Sequence, residues 1–120
     1  MKAVVWNCRG AGGLLTIPQL KEVLNFHSPN VVFLYETKNQ EKFMRKGQRR
    51  IRFDNGHFVN AIGIVEGLSF FWNHEVLIEQ VCSTDWYISA CIVDKETTRH
   101  WWLVCVYAST DGNTRKEQWK

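Results

Sequence analysis

The sequence predicts an α/β fold, and two observations carry the prediction. A strand, a helix and a second strand follow one another within the first 36 residues, the spacing of a βαβ unit with parallel strands. Beyond Phe58 the pattern turns to β: apolar and aromatic runs alternate with short polar breaks.

Residues 2–7 form the first strand, a short apolar run of the kind found in buried strands. Arg9-Gly10-Ala11-Gly12-Gly13 follows as a glycine-rich turn. A helix then starts with Thr16 as N-cap, Gln19 closing a capping box and Pro18 in the first turn, where its missing N–H is harmless. Leu20, Val23, Leu24 and His27 share one helical face, and Ser28-Pro29-Asn30 ends it. Val31-Val32-Phe33-Leu34-Tyr35 reads as a strand buried on both faces. A short basic helix is expected over residues 39–46 with Gly47 as its C′ residue, and Asp54-Asn55-Gly56 is a turn signal.

Further strands are expected over residues 67–72, broken at Asn73-His74, and over residues 75–81. Residues 87–93 and 100–108 read as a hairpin-like pair around a polar stretch at 94–99. Thr110-Asp111-Gly112-Asn113 is a turn, and residues 114–120 begin a helix in which the sequence stops. With apolar strands left uncovered, this reads as the front part of a larger α/β domain.

Composition sets aside several classes. At 120 residues the chain holds at most one small domain, and 45% hydrophobic with 22% charged residues is globular. No apolar run approaches the ~18 residues of a membrane span. The N-terminal segment turns polar at Asn7, so no secretory signal is read. Cys8, Cys82, Cys91 and Cys105 show no C-x-x-C spacing, and the four histidines show no metal-ligand spacing. The expectation is a reduced intracellular protein, nuclear or cytoplasmic, neither membrane-bound nor secreted. Oligomeric state is left open.

The charge is uneven: residues 1–52 carry a net +7 and residues 53–120 a net −4. Lys42, Arg45, Lys46, Arg49, Arg50 and Arg52 form one basic stretch. It suits a polyanion such as a nucleic-acid backbone, or is simply a solvated helix face.

Asn7 and Glu36 are the sharpest pair. Each is polar and ends a buried strand, and in parallel α/β sheets those ends face the ligand crevice. A carboxylate with an amide oxygen suits a hard cation such as Mg²⁺. The alternative is that Glu36 caps the next segment and Asn7 closes a turn.

Four segments carry a resemblance: Trp6-Asn7-Cys8-Arg9-Gly10, the stretch from Pro29 through Glu36-Thr37-Lys38, Gly63 to Trp72, and Val104-Cys105-Val106-Tyr107. In that order they resemble the motifs of the endonuclease/exonuclease/phosphatase superfamily, most closely the endonuclease domain of plant non-LTR (LINE-type) retrotransposons. Arg115 and Trp119 fall where that family has an Arg and a Trp. The resemblance implies the N-terminal part of a four-layer α/β-sandwich, with residues 1–120 a single partial domain truncated at the C-terminus. It implies Mg²⁺ or Mn²⁺ as cofactor and the phosphate backbone of DNA as partner. Glu36 would be the principal metal ligand, Asn7 would help hold the metal, and Tyr107 would touch the scissile phosphate. Arg9 and the residues of the basic stretch would contact DNA. Read without the family, Tyr107 is a strand-end aromatic with a wet hydroxyl.

The departures are Glu66-Gly67 in place of two glycines, Ser89 in place of an acidic residue, and Ala108 after Tyr107. The family's Gly-Asp-x-Asn motif and closing Asp-His pair do not occur between Tyr107 and Lys120. The expectation is therefore a fragment of a metal-dependent DNA endonuclease, inactive alone. A phosphatase of the same superfamily and a non-catalytic nucleic-acid-binding remnant are the alternatives.

Overall fold

A computed structural model describes residues 1–13 and 16–108. The expected turn at residues 110–113, the helix at 114–120, and Arg115 and Trp119 lie outside the described residues. Elements run in the order β1 (Ala3–Asn7), α1 (Thr16–His27), β2 (Val31–Tyr35), α2 (Glu41–Arg50), β3 (Asn55–Val59), β4 (Leu68–Trp72), β5 (Leu77–Ser83), β6 (Tyr87–Val93) and β7 (His100–Val106).

The first sheet has strand order β1-β2-β4-β3. As the βαβ spacing predicts, β1 and β2 are parallel, with Asn7 level with Tyr35. Both other pairings are antiparallel. The second sheet, β5-β6-β7, is antiparallel throughout.

Period-two alternation sorts the side chains into two cores. On one face of the first sheet, Val32, Leu34 and Phe71 pack with Leu20 and Leu24 of α1 and Met44 of α2. On the other, Val31, Phe33, Leu68 and Phe70 pack with Ile88 and Ala90 of the second sheet. The layers are therefore helices, sheet and sheet. This explains why β2 and β4 are apolar at nearly every position: each is central and covered on both faces. The outer face of the second sheet is less covered, with Trp102, Val104 and Val106 each about half exposed. Among the described residues no helix is long and apolar enough to cross a membrane.

Three local expectations are corrected. Thr16 lies within α1, and its hydroxyl donates to the Gly10 carbonyl at 3.2 Å rather than closing a capping box. The basic helix does not stop at Gly47 but runs on to Arg50. Gly47 is buried inside the helix and has ordinary helical backbone rather than the left-handed conformation of a C′ glycine. Asn55 and Gly56 form no turn; they pair with Trp72 and Phe71 as the start of β3.

Candidate active site

The parallel pair β1–β2 continues beyond its strands. The backbone N–H groups of Cys8, Gly10 and Ala11 donate to the carbonyls of Tyr35, Glu36 and Thr37 at 2.8 to 2.9 Å. This zips the loop after β1 to the segment after β2 and fixes Asn7 beside Glu36. Arg9, Glu36 and Lys38 all have left-handed backbone, with φ of 48°, 54° and 52°. Such conformations are sparsely populated for residues other than glycine and recur at functional sites.

A third segment joins them. The N–H of Thr37 donates to the Gly67 carbonyl at 3.2 Å, and that of Lys38 to the Glu66 carbonyl at 2.7 Å. Gly67 has φ of +88°, and a methyl there would collide with the Thr37 hydroxyl oxygen. Only glycine allows this approach, and it brings Glu66 to the site.

The fourth contribution crosses from the second sheet. Tyr107 follows β7, its ring centroid 5.3 Å from that of Tyr35. Its N–H donates to the Trp86 carbonyl at 2.8 Å.

The functional groups form one connected set. Asn7 Nδ2 donates to Glu36 Oε2 at 3.0 Å. Asn7 Oδ1 accepts the Arg9 N–H at 2.9 Å. That backbone donor requires an oxygen, so it fixes the amide with its nitrogen toward Glu36. The Tyr107 hydroxyl donates to Glu66 Oε2 at 2.8 Å and has a longer contact, 3.3 Å, with Glu36 Oε2. Burial, the hydrogen bond to Glu66 and the charges of Glu66 and Glu36 push the Tyr107 hydroxyl well above the ordinary tyrosine range. Burial, then the Glu36 charge, pushes the Cys8 thiol up to about 12. Cys8 is thus a protonated core residue.

Asn7, Glu36 and Tyr107, singled out in the sequence, therefore meet. Arg9 flanks them through its backbone, its side chain exposed. Lys42, Arg45, Lys46, Arg49, Arg50 and Arg52 lie elsewhere, exposed on α2 and the turn after it. Arg45 is engaged with Glu41 at 2.9 Å and lies over the Phe58 ring at 4.8 Å. Glu66 is the residue that sequence reasoning missed as a site group. Its one signal was a charge standing where a second glycine was expected.

The set consists of oxygen donors: two carboxylates converging on one hydroxyl, with an amide orienting one of them. This suits a hard cation, which commonly takes one or two carboxylates and fills its remaining positions with water and phosphate oxygens. Among the described residues no group of three or more His, Cys, Asp and Glu comes together.

No family model matches the sequence, and no curated protein matches it. Solved structures do. The chain is similar to the AP endonuclease LMAP from Leishmania major, with 17% identity and a TM-score of 0.64 over 97% of this chain and 43% of that one. It is also similar to the APE2 catalytic domain of Xenopus laevis, with 15% identity and a TM-score of 0.65 over 98% of this chain and 48% of that one. The chain thus spans less than half the length of the structures it matches. The fold is the α/β sandwich of endonuclease/exonuclease/phosphatase type.

Proposed function

We propose that the chain supplies the metal- and phosphate-binding part of a divalent-metal-dependent nuclease that hydrolyses DNA phosphodiesters, of the LINE-type retrotransposon kind. The observation that carries this reading is the convergence of Asn7, Glu36 and Tyr107 from three segments, with Glu36 and Tyr107 71 residues apart. Residues 1–120 are then one partial domain, and the water-activating and remaining phosphate-binding groups come from outside it.

In this reading Glu36 and Glu66 hold Mg²⁺ or Mn²⁺ through carboxylate oxygens. When bound, the cation supplies Lewis-acid charge to the phosphate oxygens. The chain's own groups do the rest. The Arg9 N–H holds the Asn7 amide, which holds Glu36 in one orientation by its donated hydrogen bond. The raised Tyr107 hydroxyl keeps its proton at neutral pH. It is therefore a hydrogen-bond donor that can turn from a carboxylate to a phosphate oxygen as charge builds there. The exposed basic face of α2 favours a polyanionic substrate over a small phosphorylated molecule, and hence nuclease over phosphatase.

The test is Mn²⁺ binding followed by the free-ion electron paramagnetic resonance signal, with Mg²⁺ as competitor. The expected result is Mg²⁺-displaceable binding by the wild type that weakens at least tenfold in Glu36→Gln. Binding unchanged by that substitution would leave only a non-catalytic nucleic-acid-binding chain.

A further inference from the structure

The six basic residues at positions 42–52 are not equivalent, and their geometry separates them. On a helix of 3.6 residues per turn, Lys42, Lys46 and Arg50 stand at i, i+4 and i+8 along one row. Arg45 and Arg49 stand at i and i+4 along another, and Arg52 lies past the end of the helix. Arg45 in that second row is already bonded to Glu41.

The first row borders a hollow of about 460 Å³ whose walls include Lys38, Lys42, Phe43, Lys46 and the amides of Asn39 and Gln40. No acidic residue lines it. Among the described residues none of the three lysines is in an ion pair. Phe43 is 39% exposed there, an aromatic surface among three ammonium groups.

The hollow also leads somewhere. A second one, of about 240 Å³, shares Lys38 and Ala61 with it and reaches Glu66. The Glu66 carboxylate accepts the Tyr107 hydroxyl, and Glu36 lies next to it. Three lysines and an aromatic ring thus line the first hollow, and the second runs from Lys38 to Glu66, the bonding partner of Tyr107.

We propose that the Lys38–Lys42–Lys46 hollow, with Phe43 at its side, binds the phosphates of a nucleic-acid strand and leads that strand to the Glu36–Tyr107–Glu66 site. This rests on the nuclease reading above and deepens it. Ammonium groups not spent on carboxylates release counterions when they meet phosphates. An exposed ring gives an unstacked base or a sugar a surface to lie on. The carboxylates at the end of the path repel phosphate unless a cation stands between them, so the lysines supply the attraction that Glu36 and Glu66 do not.

The experiment is fluorescence anisotropy of a labelled DNA single strand and of its duplex, titrated in EDTA across a range of KCl. Wild type is compared with K42Q/K46Q and with R45Q/R49Q, which removes equal charge from the other row. All four side chains are exposed, and thermal melts check that both variants stay folded. The expected result is that K42Q/K46Q lowers the slope of log K against log salt by about 2, roughly 1 for each phosphate that no longer meets an ammonium group. R45Q/R49Q is expected to lower it by less than half as much. Phe43→Ala is expected to weaken single-strand binding several-fold more than duplex binding. Equal losses in the two double variants, or no loss in K42Q/K46Q, would overturn the proposal and make the helix face a diffuse positive surface. Because EDTA removes the cation, this result is independent of metal binding at Glu36. A failed Mn²⁺ titration with an intact lysine effect would sink the nuclease reading alone.

Discussion

The Tyr107 hydroxyl donates to the Glu66 carboxylate at 2.8 Å, joining the segment after β7 to the loop before β4. The bond ties the two sheets together at the edge where β1 and β2 end. A glutamate that reads as a motif defect in the sequence is, in the fold, a partner of the site.

Removing that hydroxyl should be felt in stability. Tyr107→Phe keeps the ring against Tyr35 but leaves two neighbouring carboxylates without their shared donor. A lost hydrogen bond to a charged acceptor costs about 1–3 kcal/mol. Urea denaturation should show a loss in that range, whereas Glu66→Gln, which keeps an acceptor and removes a charge, should lose less. The reverse order would mean that the hydroxyl bond contributes nothing to the fold.

The Gly67 position should tolerate no side chain. Its φ of +88° and the collision of a methyl with the Thr37 hydroxyl oxygen make Gly67→Ala destabilising by about 2 kcal/mol or more. The melting temperature reports it directly. An unchanged melt would show that the 37–38 and 66–67 segments are not clamped as described.

Alkaline pH should weaken the fold through the half-buried thiol of Cys105. Burial raises Cys105 from an ordinary value of 9.0 to about 11. A raised pKa means that the fold favours the protonated thiol. Its contribution is therefore complete below pH 9 and lost as pH rises through about 11. Melts across that window should fall more steeply for wild type than for Cys105→Ala. Parallel curves would show that the thiol is not shielded.

The elements that could be read from sequence are those whose burial leaves a periodic trace. Val31 to Tyr35 announces a doubly covered strand because all five residues are apolar or aromatic. Leu20 and Leu24 announce the packed face of α1. The failures occur where tertiary contacts outweigh local preference. Gly47 looks like a helix stop, yet it is buried within α2, which runs on to Arg50. Asp54-Asn55-Gly56 looks like a turn, yet ladder pairing with β4 claims Asn55 and Gly56, and Asp54 accepts the His74 N–H at 2.9 Å. Asn7 and Glu36 were legible because both end strands of one βαβ unit. Glu66 was not, because only the non-local bonds between residues 37–38 and 66–67 bring it to them.

The isolated chain should not cut DNA. Hydrolysis needs a group to activate water and donors to meet the charged phosphate. Glu66 already accepts the Tyr107 hydroxyl, and Asn7 is held between Glu36 and Arg9. Supercoiled plasmid incubated with Mg²⁺ should stay supercoiled. Nicking that tracks the protein and vanishes in Glu36→Ala would show that these residues form a complete site.

Paramagnetic broadening by Mn²⁺ reports whether a divalent cation binds where Asn7, Glu36, Glu66 and Tyr107 meet. In ¹H–¹⁵N spectra of the wild type, substoichiometric Mn²⁺ should broaden the Asn7 side-chain amide and the backbone amides of Glu36 and Tyr107 before others, and Glu36→Gln should abolish this selectivity. Broadening that begins at other carboxylates, or that persists unchanged in Glu36→Gln, would contradict a metal site there.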